Sequence, residues 1–244
     1  MSILNSSSPV QIGALTTWSN TIGGYNSSYA IKTDGTLWSW GMGTYYALGV
    51  GNNTNYSSPV QVGALTDWLD VAGGSYQGAF AVKTDGSMWS WGNGVPITAQ
   101  NNTTTYDSPV QIGSLTTWLK VASGYGHGLA VKTDGTLWVW GNATAGGQGA
   151  LGQGALDYVG KSSPIQVGAL TTWLNVGCTY TSSFGTTTSN ELYVWGQNNY
   201  GQLGANSADA KISSPVQVGA ETYWKALPKT PVSRHQVVST NRST

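Results

Sequence analysis

Few side chains in this 244-residue sequence could do chemistry, and they are scattered. His127 and His235 are the only histidines and Cys178 the only cysteine. That is too few for the usual zinc spacings, and a lone cysteine forms neither a thiolate cluster nor an internal disulfide. A Ser-His-Asp device would have to use one of the two histidines, but no Gly-x-Ser-x-Gly elbow accompanies either. Asp34, Asp85 and Asp134 are equivalent carboxylates, yet each lies a whole repeat from the next and sits in a turn. Asp67, Asp70, Asp107, Asp157, Asp209, Glu191 and Glu221 form no recurring close pair of the kind glycoside hydrolysis uses. The glycine-rich run at 146–149 has no Lys-Ser/Thr after it, so it is not a phosphate cradle. These residues give no enzyme signature, no metal site and no cofactor.

Aromatic rings are the other chemical resource. Trp38/Trp40, Trp89/Trp91, Trp138/Trp140 and Tyr193/Trp195 are pairs spaced by two, which places both rings of a pair on one face of a strand. Such pairs serve either as stacking platforms for sugar rings or as the packing between repeated units. Recurrence in every repeat favours packing. Trp18, Trp68, Trp118 and Trp173 recur at a second position and join them as repeated core. A sugar or partner site is expected instead on the aromatics that do not repeat: Tyr45, Tyr46, Tyr106, Tyr158 and Tyr200.

The elements that must position these rings are β-hairpins. Residues 130–141, Ala-Val-Lys-Thr-Asp-Gly-Thr-Leu-Trp-Val-Trp-Gly, occur nearly verbatim at 30–41 and 81–92, with a weathered copy ending Tyr193-Val194-Trp195-Gly196. Alternating β-formers around Asp-Gly predict a two-residue hairpin in which both central residues take positive φ. Ser-Pro-(Val/Ile)-Gln begins at Ser8, Ser58, Ser108, Ser163 and Ser214, and a tryptophan stands ten residues after each serine, ending with Trp224. In the second unit the predicted strands are Val60–Leu65, Trp68–Ala72, Ala79–Lys83 and Met88–Trp91. Proline in the first of them suits an edge strand. Four strands per repeat of this length is a propeller-blade signature.

The fold class expected is therefore all-β, a β-propeller-type array with four full repeats plus a surplus strand. The repeats run about 8–57, 58–107, 108–162 and 163–213, with a partial fifth at 214–224. Residues 1–224 form the repeat domain, and 225–244 a tail or docking arm. Length variation concentrates between each Trp-Gly and the next Ser-Pro, which predicts one face where variation is tolerated. The last blade has its closing strand at Pro215–Gly219, so the surplus Ser-Pro strand is expected to pair with another chain or to leave an open arc.

Ten Lys+Arg balance ten Asp+Glu, and only 8% of residues are charged. No broad electrostatic footprint for nucleic acid or anionic membrane follows from that balance. No run reaches the length of a membrane helix, and the start lacks a secretory pattern, so synthesis in the cytoplasm is expected. Cys178, next to a glycine and after a Trp-x-x-Val strand, is expected to be buried and inert.

The string Trp195-Gly196-Gln197-Asn198-Asn199-Tyr200-Gly201-Gln202-Leu203-Gly204 resembles the regulator-of-chromosome-condensation repeat family. So does the Gly-x-x-His of Val121-Ala122-Ser123-Gly124-Tyr125-Gly126-His127. The resemblance covers roughly residues 8 to 224 and implies a propeller of four-stranded blades, usually seven in that family. It also implies that His127 is a hydrogen-bonded core or turn residue. Two function classes fit these features. One is a non-enzymatic structural or adhesion module, a phage virion component whose partners are its own subunits, virion proteins or a host surface glycan. The other is an intracellular interaction scaffold in the style of the family's guanine-nucleotide-exchange and chromatin-binding members. A basic patch for chromatin is lacking, and no residue here matches the family's exchange loop. Glycan hydrolysis through Asp157 or Asp209 is a third reading.

Overall fold

A computed structural model describes residues 11–12, 17–75, 78–93, 98–142, 149–154, 160–227 and 239–240. Four antiparallel sheets of four strands follow one another along the chain. The first contains β1 (Trp18–Gly23), β2 (Ser27–Lys32), β3 (Leu37–Gly41) and β4 (Tyr56–Gln61). The second contains β5 (Trp68–Ser75), β6 (Gly78–Lys83), β7 (Met88–Gly92) and β8 (Tyr106–Gln111). The third contains β9 (Trp118–Ser123), β10 (His127–Lys132), β11 (Leu137–Gly141) and β12 (Lys161–Gln166). The fourth contains β13 (Trp173–Cys178), β14 (Ser182–Thr187), β15 (Leu192–Gln197) and β16 (Lys211–Gln217). Each is a blade, and the contacts between blades run from β1 to β5, β5 to β9 and β9 to β13, which makes these the inner strands. No helix among the described residues is long and apolar enough to cross a membrane.

The blade is out of phase with the repeat read from the sequence. The Ser-Pro strand does not open its own unit; it is the fourth, outer strand of the blade before it. Trp38 pairs with Gln61 and Ser39 with Val60, and the Val62 amide donates to the Leu37 carbonyl at 2.8 Å. The expected strand Val60–Leu65 is thus replaced by Tyr56–Gln61, and Gly63 at φ 62 turns the chain toward the next blade. Pro59, Pro109, Pro164 and Pro215 lie in edge strands, where a missing amide hydrogen is tolerated. The expected closing strand of the last blade is present as β16. The first Ser-Pro segment, at Ser8, falls outside the described residues. Beyond the fourth blade, β17 (Trp224–Ala226) pairs with β18 (Ser239–Thr240), so pairing continues past residue 224.

The hairpin turn also differs from expectation. Gly35 donates to the Lys32 carbonyl at 2.9 Å, and Lys32 donates to the Thr36 carbonyl at 3.0 Å. Only Gly35 has positive φ, at 79°. This is a three-residue loop with glycine in the left-handed position, the next commonest hairpin solution after the two-residue turns. Asp34 serves differently from the expected positive-φ role: its Oδ1 accepts the Thr36 amide at 3.0 Å and the Thr36 hydroxyl at 2.6 Å. Those hydrogen bonds hold the Asp34, Asp85 and Asp134 carboxyls below the usual range.

The glycine carbonyl has a second task. Gly35, Gly86 and Gly135 accept the amide of the next inner-strand tryptophan, Trp68, Trp118 and Trp173, at 3.0–3.1 Å. In the fourth blade Asn190 takes the glycine's place at φ 59 and accepts from Trp224. A Cβ on Gly135 would lie 2.1 Å from the Thr171 carbonyl oxygen, at a φ of 76°. Gly135→Ala is therefore expected to cost about 1–3 kcal/mol from the backbone alone, read as a lower urea midpoint. Asn190→Gly should leave the midpoint nearly unchanged.

The core lies between blades. One buried cluster joins Tyr29, Ile31 and Leu37 to Trp68, Val71 and Trp91. A second joins Phe80, Val82 and Met88 to Trp118, Val121 and Trp140, and a third joins Leu129, Val131 and Val139 to Trp173, Val176 and Trp195. Rings cross the first two boundaries edge to face, Tyr29 on Trp91 at 6.1 Å and Phe80 on Trp140 at 4.9 Å.

Candidate interaction surface

The residues with reactive side chains are built into this core. His127 and Ser183 form a buried imidazole–hydroxyl pair, with His127 Nε2 2.9 Å from Ser183 Oγ. The serine hydroxyl donates to the Ala150 carbonyl at 2.8 Å, so Nε2 carries the hydrogen and donates to serine. Nδ1 is left buried and without a partner. A base that donates to the hydroxyl cannot activate it, and neither group is exposed. Burial pushes the His127 pKa down to about 4. Cys178 is buried as expected, and its burial holds the thiol protonated. Among the described residues, no three His, Cys, Asp or Glu side chains gather as a metal site would require.

The repeated tryptophans divide into two jobs. Trp91, Trp140 and Trp195 are fully buried at blade boundaries. Trp91 Nε1 donates to the Ala47 carbonyl at 2.8 Å and Trp195 Nε1 to the Ala150 carbonyl at 2.9 Å, each across to the preceding blade's loop. Trp38, Trp89 and Trp138 instead meet the inner-strand Trp18, Trp68 and Trp118 of their own blade, with centroids 5.9–6.2 Å apart. Lys32, Lys83 and Lys132 place Nζ over these rings at 3.7, 4.3 and 3.6 Å. The lysine occupies a ring face that a sugar would need. Trp173 meets Tyr193 at 5.3 Å in the fourth blade, and Trp40 packs at 6.2 Å from Trp18.

What remains for contact with other molecules is set by the direction of the strands. The loops from the first to the second strand and from the third to the fourth emerge on the same side of every blade. Met42, Asn142 and Gln197 each donate their amide to the carbonyl of Asn26, Gly126 and Thr181, at 2.8, 2.7 and 3.2 Å. The opposite side carries the Thr-Asp-Gly turns and the linkers between blades, joined by bonds such as Thr33 amide to Thr17 carbonyl at 2.8 Å. The described parts of the segments that vary in length therefore share one face.

The five expected contact tyrosines are not equivalent on this face. Tyr200 is 81% exposed at a loop tip, and Tyr45 is also exposed. Tyr45 and the half-buried Tyr46 are adjacent residues at φ 61 and 58, a conformation bulky residues rarely adopt. Their loop is held by Asn53 Oδ1, which accepts the Tyr46 amide at 2.7 Å, and Asn55 Oδ1, which accepts the Gly43 amide at 2.9 Å. Tyr106 instead packs against the first core cluster, and its hydroxyl accepts from Asn102 at 2.9 Å. Tyr158 lies outside the described residues, as does Asp157.

Three further tyrosines on this face, Tyr25, Tyr125 and Tyr180, escape a reading of non-repeated aromatics because they do repeat. Each stands two residues before the start of its blade's second strand, at Ser27, His127 and Ser182. The sequence has Tyr76 two residues before Gly78 as well, outside the described residues. Counted from the hairpin, the tyrosine recurs in all four repeats; counted from the preceding tryptophan the second repeat is one residue longer, which hides it. On the rim, a cavity of about 270 Å³ opens between the second and third blades, lined by Ile112, Leu115, Trp118, Trp138 and Pro164 among others.

Models of one family, described as the regulator of chromosome condensation (RCC1) repeat, match residues 34–81, 118–146 and 189–233, together half of the chain. No curated protein matches at the sequence level. Among solved structures, the chain is similar to human WBSCR16, at 22% identity and TM-score 0.75 over 88% of this chain and 56% of that one. It is similar also to yeast RCC1 (Prp20) bound to Kap60, at 18% identity and TM-score 0.72 over 92% and 54%. Prp20p from Saccharomyces cerevisiae, in a structure reported with its binding properties to Gsp1p and histones, gives 18%, 0.72, 92% and 55%. At such identities the likeness is one of fold, and the chain spans just over half the length of the structures it matches.

Proposed function

Since the chain belongs to the regulator of chromosome condensation (RCC1) repeat family, we propose that it is a non-catalytic protein-interaction module whose partner docks on the loop face. The observation that carries this reading is the convergence on that face of the described parts of the segments that vary in length, together with exposed Tyr45 and Tyr200. A framework of near-identical blades that confines its variation to one side suits partner recognition. The yeast relative's reported partners are proteins, which favours the scaffold reading over the virion and glycan one. Zero net charge and 8% charged residues point to a partner surface that is neutral and polar rather than one as basic as a histone.

The test is capture on the immobilised full chain, followed by mass spectrometry, with two doubly substituted variants. Tyr45→Ser with Tyr200→Ser on the loop face is expected to lower capture of a specific protein about tenfold. Leu65→Ser with Leu170→Ser, exposed on linkers of the opposite face, should leave it unchanged. The reverse pattern would place the partner on the turn face and end this reading.

A further inference from the structure

One rim position decides how tightly each boundary between blades closes. It is the outer-strand residue paired with the glycine of the Trp-Gly in the third strand: Tyr106 opposite Gly92, Lys161 opposite Gly141 and Ile212 opposite Gly196. Tyr106 packs on the cluster between the first two blades, and Ile212 is 7% exposed within the cluster between the last two. Between the second and third blades the same position brings the charged end of Lys161 instead of an apolar group. The cavity of about 270 Å³ lies at that boundary.

The loop of the second blade widens the gap. Gly49 and Gly152 hold one loop position at φ 68 and 67°, where a Cβ would lie 2.8–2.9 Å from the indole of Trp91 or Trp195 in the next blade. The second blade has Ala99 there, at φ 58°, with a real Cβ. Its loop therefore cannot close on the third blade as its counterparts close on theirs. Gln100 follows in the place of Val50, which packs on the first cluster. Gln100 folds back onto its own blade, its Nε2 donating to the Val110 and Gln111 carbonyls at 3.1 and 3.2 Å. Thr98 precedes Ala99 and buries a hydroxyl without a partner, where the first and third blades bury Leu48 and Leu151. Four departures at one boundary all work against packing.

We infer that this cavity is a binding site for a small neutral molecule with a single aromatic ring, of the phenol class. The neighbouring boundaries show what fits. Beside Trp89 the filling group is the Tyr106 ring, and beside Tyr193 it is the aliphatic Ile212. The open boundary has a tryptophan, Trp138, as the first one does, so the group it lacks is a ring. Trp118, Trp138 and Pro164 supply ring surfaces, Ile112 and Leu115 apolar walls, and no charged side chain lines the cavity. Asn101, whose Oδ1 accepts the Ser162 hydroxyl at 2.7 Å, supplies an amide donor for a phenol oxygen. An apolar cavity of about 150 Å³ is enough for benzene. The larger volume here holds a ring with small substituents. The site stands on the rim, and its assignment is independent of whatever docks on the loop face.

The experiment titrates the full chain with p-cresol, the tyrosine side chain as a free molecule, and follows the tryptophan indole signals by NMR. Saturable shifts are expected at Trp118 and Trp138, with a Kd on the order of 0.1–1 mM, and none at Trp68 and Trp89 of the filled boundary. Cyclohexanol, of similar size but not flat, should bind about fivefold more weakly. Lys161→Tyr, which copies Tyr106 into the gap, should abolish binding. Leu115→Ser, at an exposed wall residue, should weaken it about threefold. Circular dichroism melts show whether each variant is folded, and Leu115→Ser carries the test if Lys161→Tyr is not. The inference is overturned if p-cresol shifts no indole saturably or shifts those of both boundaries alike. Undiminished binding to folded Lys161→Tyr or to Leu115→Ser overturns it too. So does equal binding of cyclohexanol, since the cavity would then accept any apolar group.

Discussion

Trp195→Ala is expected to destabilise the protein by about 3–5 kcal/mol, the range for truncating a fully buried tryptophan. The ring has no exposed surface, and its indole nitrogen donates 2.9 Å to the Ala150 carbonyl, 45 residues earlier in the chain. Alanine would remove that bond and open a cavity in the cluster that joins the third blade to the fourth. The cavity cannot collapse easily, because Gly152 already approaches so closely that a Cβ there would lie 2.9 Å from the indole nitrogen. Trp195→Phe retains most of the volume and loses the hydrogen bond, so it should cost less, about 1 kcal/mol for the bond plus a smaller packing loss. The comparison that tests the repeat logic is Trp40→Ala. Trp40 holds the same place in the first blade, but it is only half-buried, since among the described residues no blade precedes it. Its truncation should cost distinctly less. Urea unfolding followed by far-ultraviolet circular dichroism measures all three. Equal losses for Trp40 and Trp195 would mean that the outward face of the first blade is covered in solution.

That contrast shows where the sequence was informative and where it was not. The hairpins were legible because their strands and turn recur almost verbatim, and alternation in Leu137-Trp138-Val139-Trp140 matches the pleat directly. The number of blades was legible for the same reason. Their phase was not. A tandem repeat fixes its period, but it can be cut at any point, and the sequence places Pro59 nearer to Trp68 than to Trp38. Only the bonds between Leu37 and Val62, and the pairing of Ser39 with Val60, assign the proline strand to the earlier blade. The turn failed for a local reason: Asp-Gly fits a two-residue loop and also the last two positions of a three-residue one. The side-chain bonds from Asp34 to Thr36 favour the longer loop. The recurrence of tyrosine at Tyr25, Tyr125 and Tyr180 was legible in principle. It stayed hidden because β5 carries a register shift between Gly73 and Ser75 that breaks the count from the tryptophan.

The second large effect is a loss of stability between pH 6.5 and about 4 that His127 alone imposes. Its imidazole has an ordinary pKa of 6.5 in the unfolded chain and about 4 in the folded one, where burial penalises the charged form. Above pH 6.5 both states hold it neutral, and its titration contributes nothing. As pH falls through that window, the unfolded chain takes up a proton that the folded chain refuses, so stability falls. The two pKa values set the size of the loss at about 3 kcal/mol by pH 4. The turn carboxylates act in a different window. Asp34, Asp85 and Asp134 have lowered folded pKa values, so their stabilisation is present above the ordinary carboxylate pKa near 3.8 and is lost below it. His127→Gln keeps a donor in place of Nε2 and cannot titrate. Its unfolding free energy should be flat from pH 6.5 to 4.5 where the parent's falls, and the offset between the two curves should become constant below about pH 4, once folded His127 also charges. Urea midpoints at pH 7, 5.5 and 4.5 for the two proteins decide it. Parallel curves would show that His127 is solvated or ion-paired, and that the Ser183 hydroxyl it meets is not sealed between the third and fourth blades.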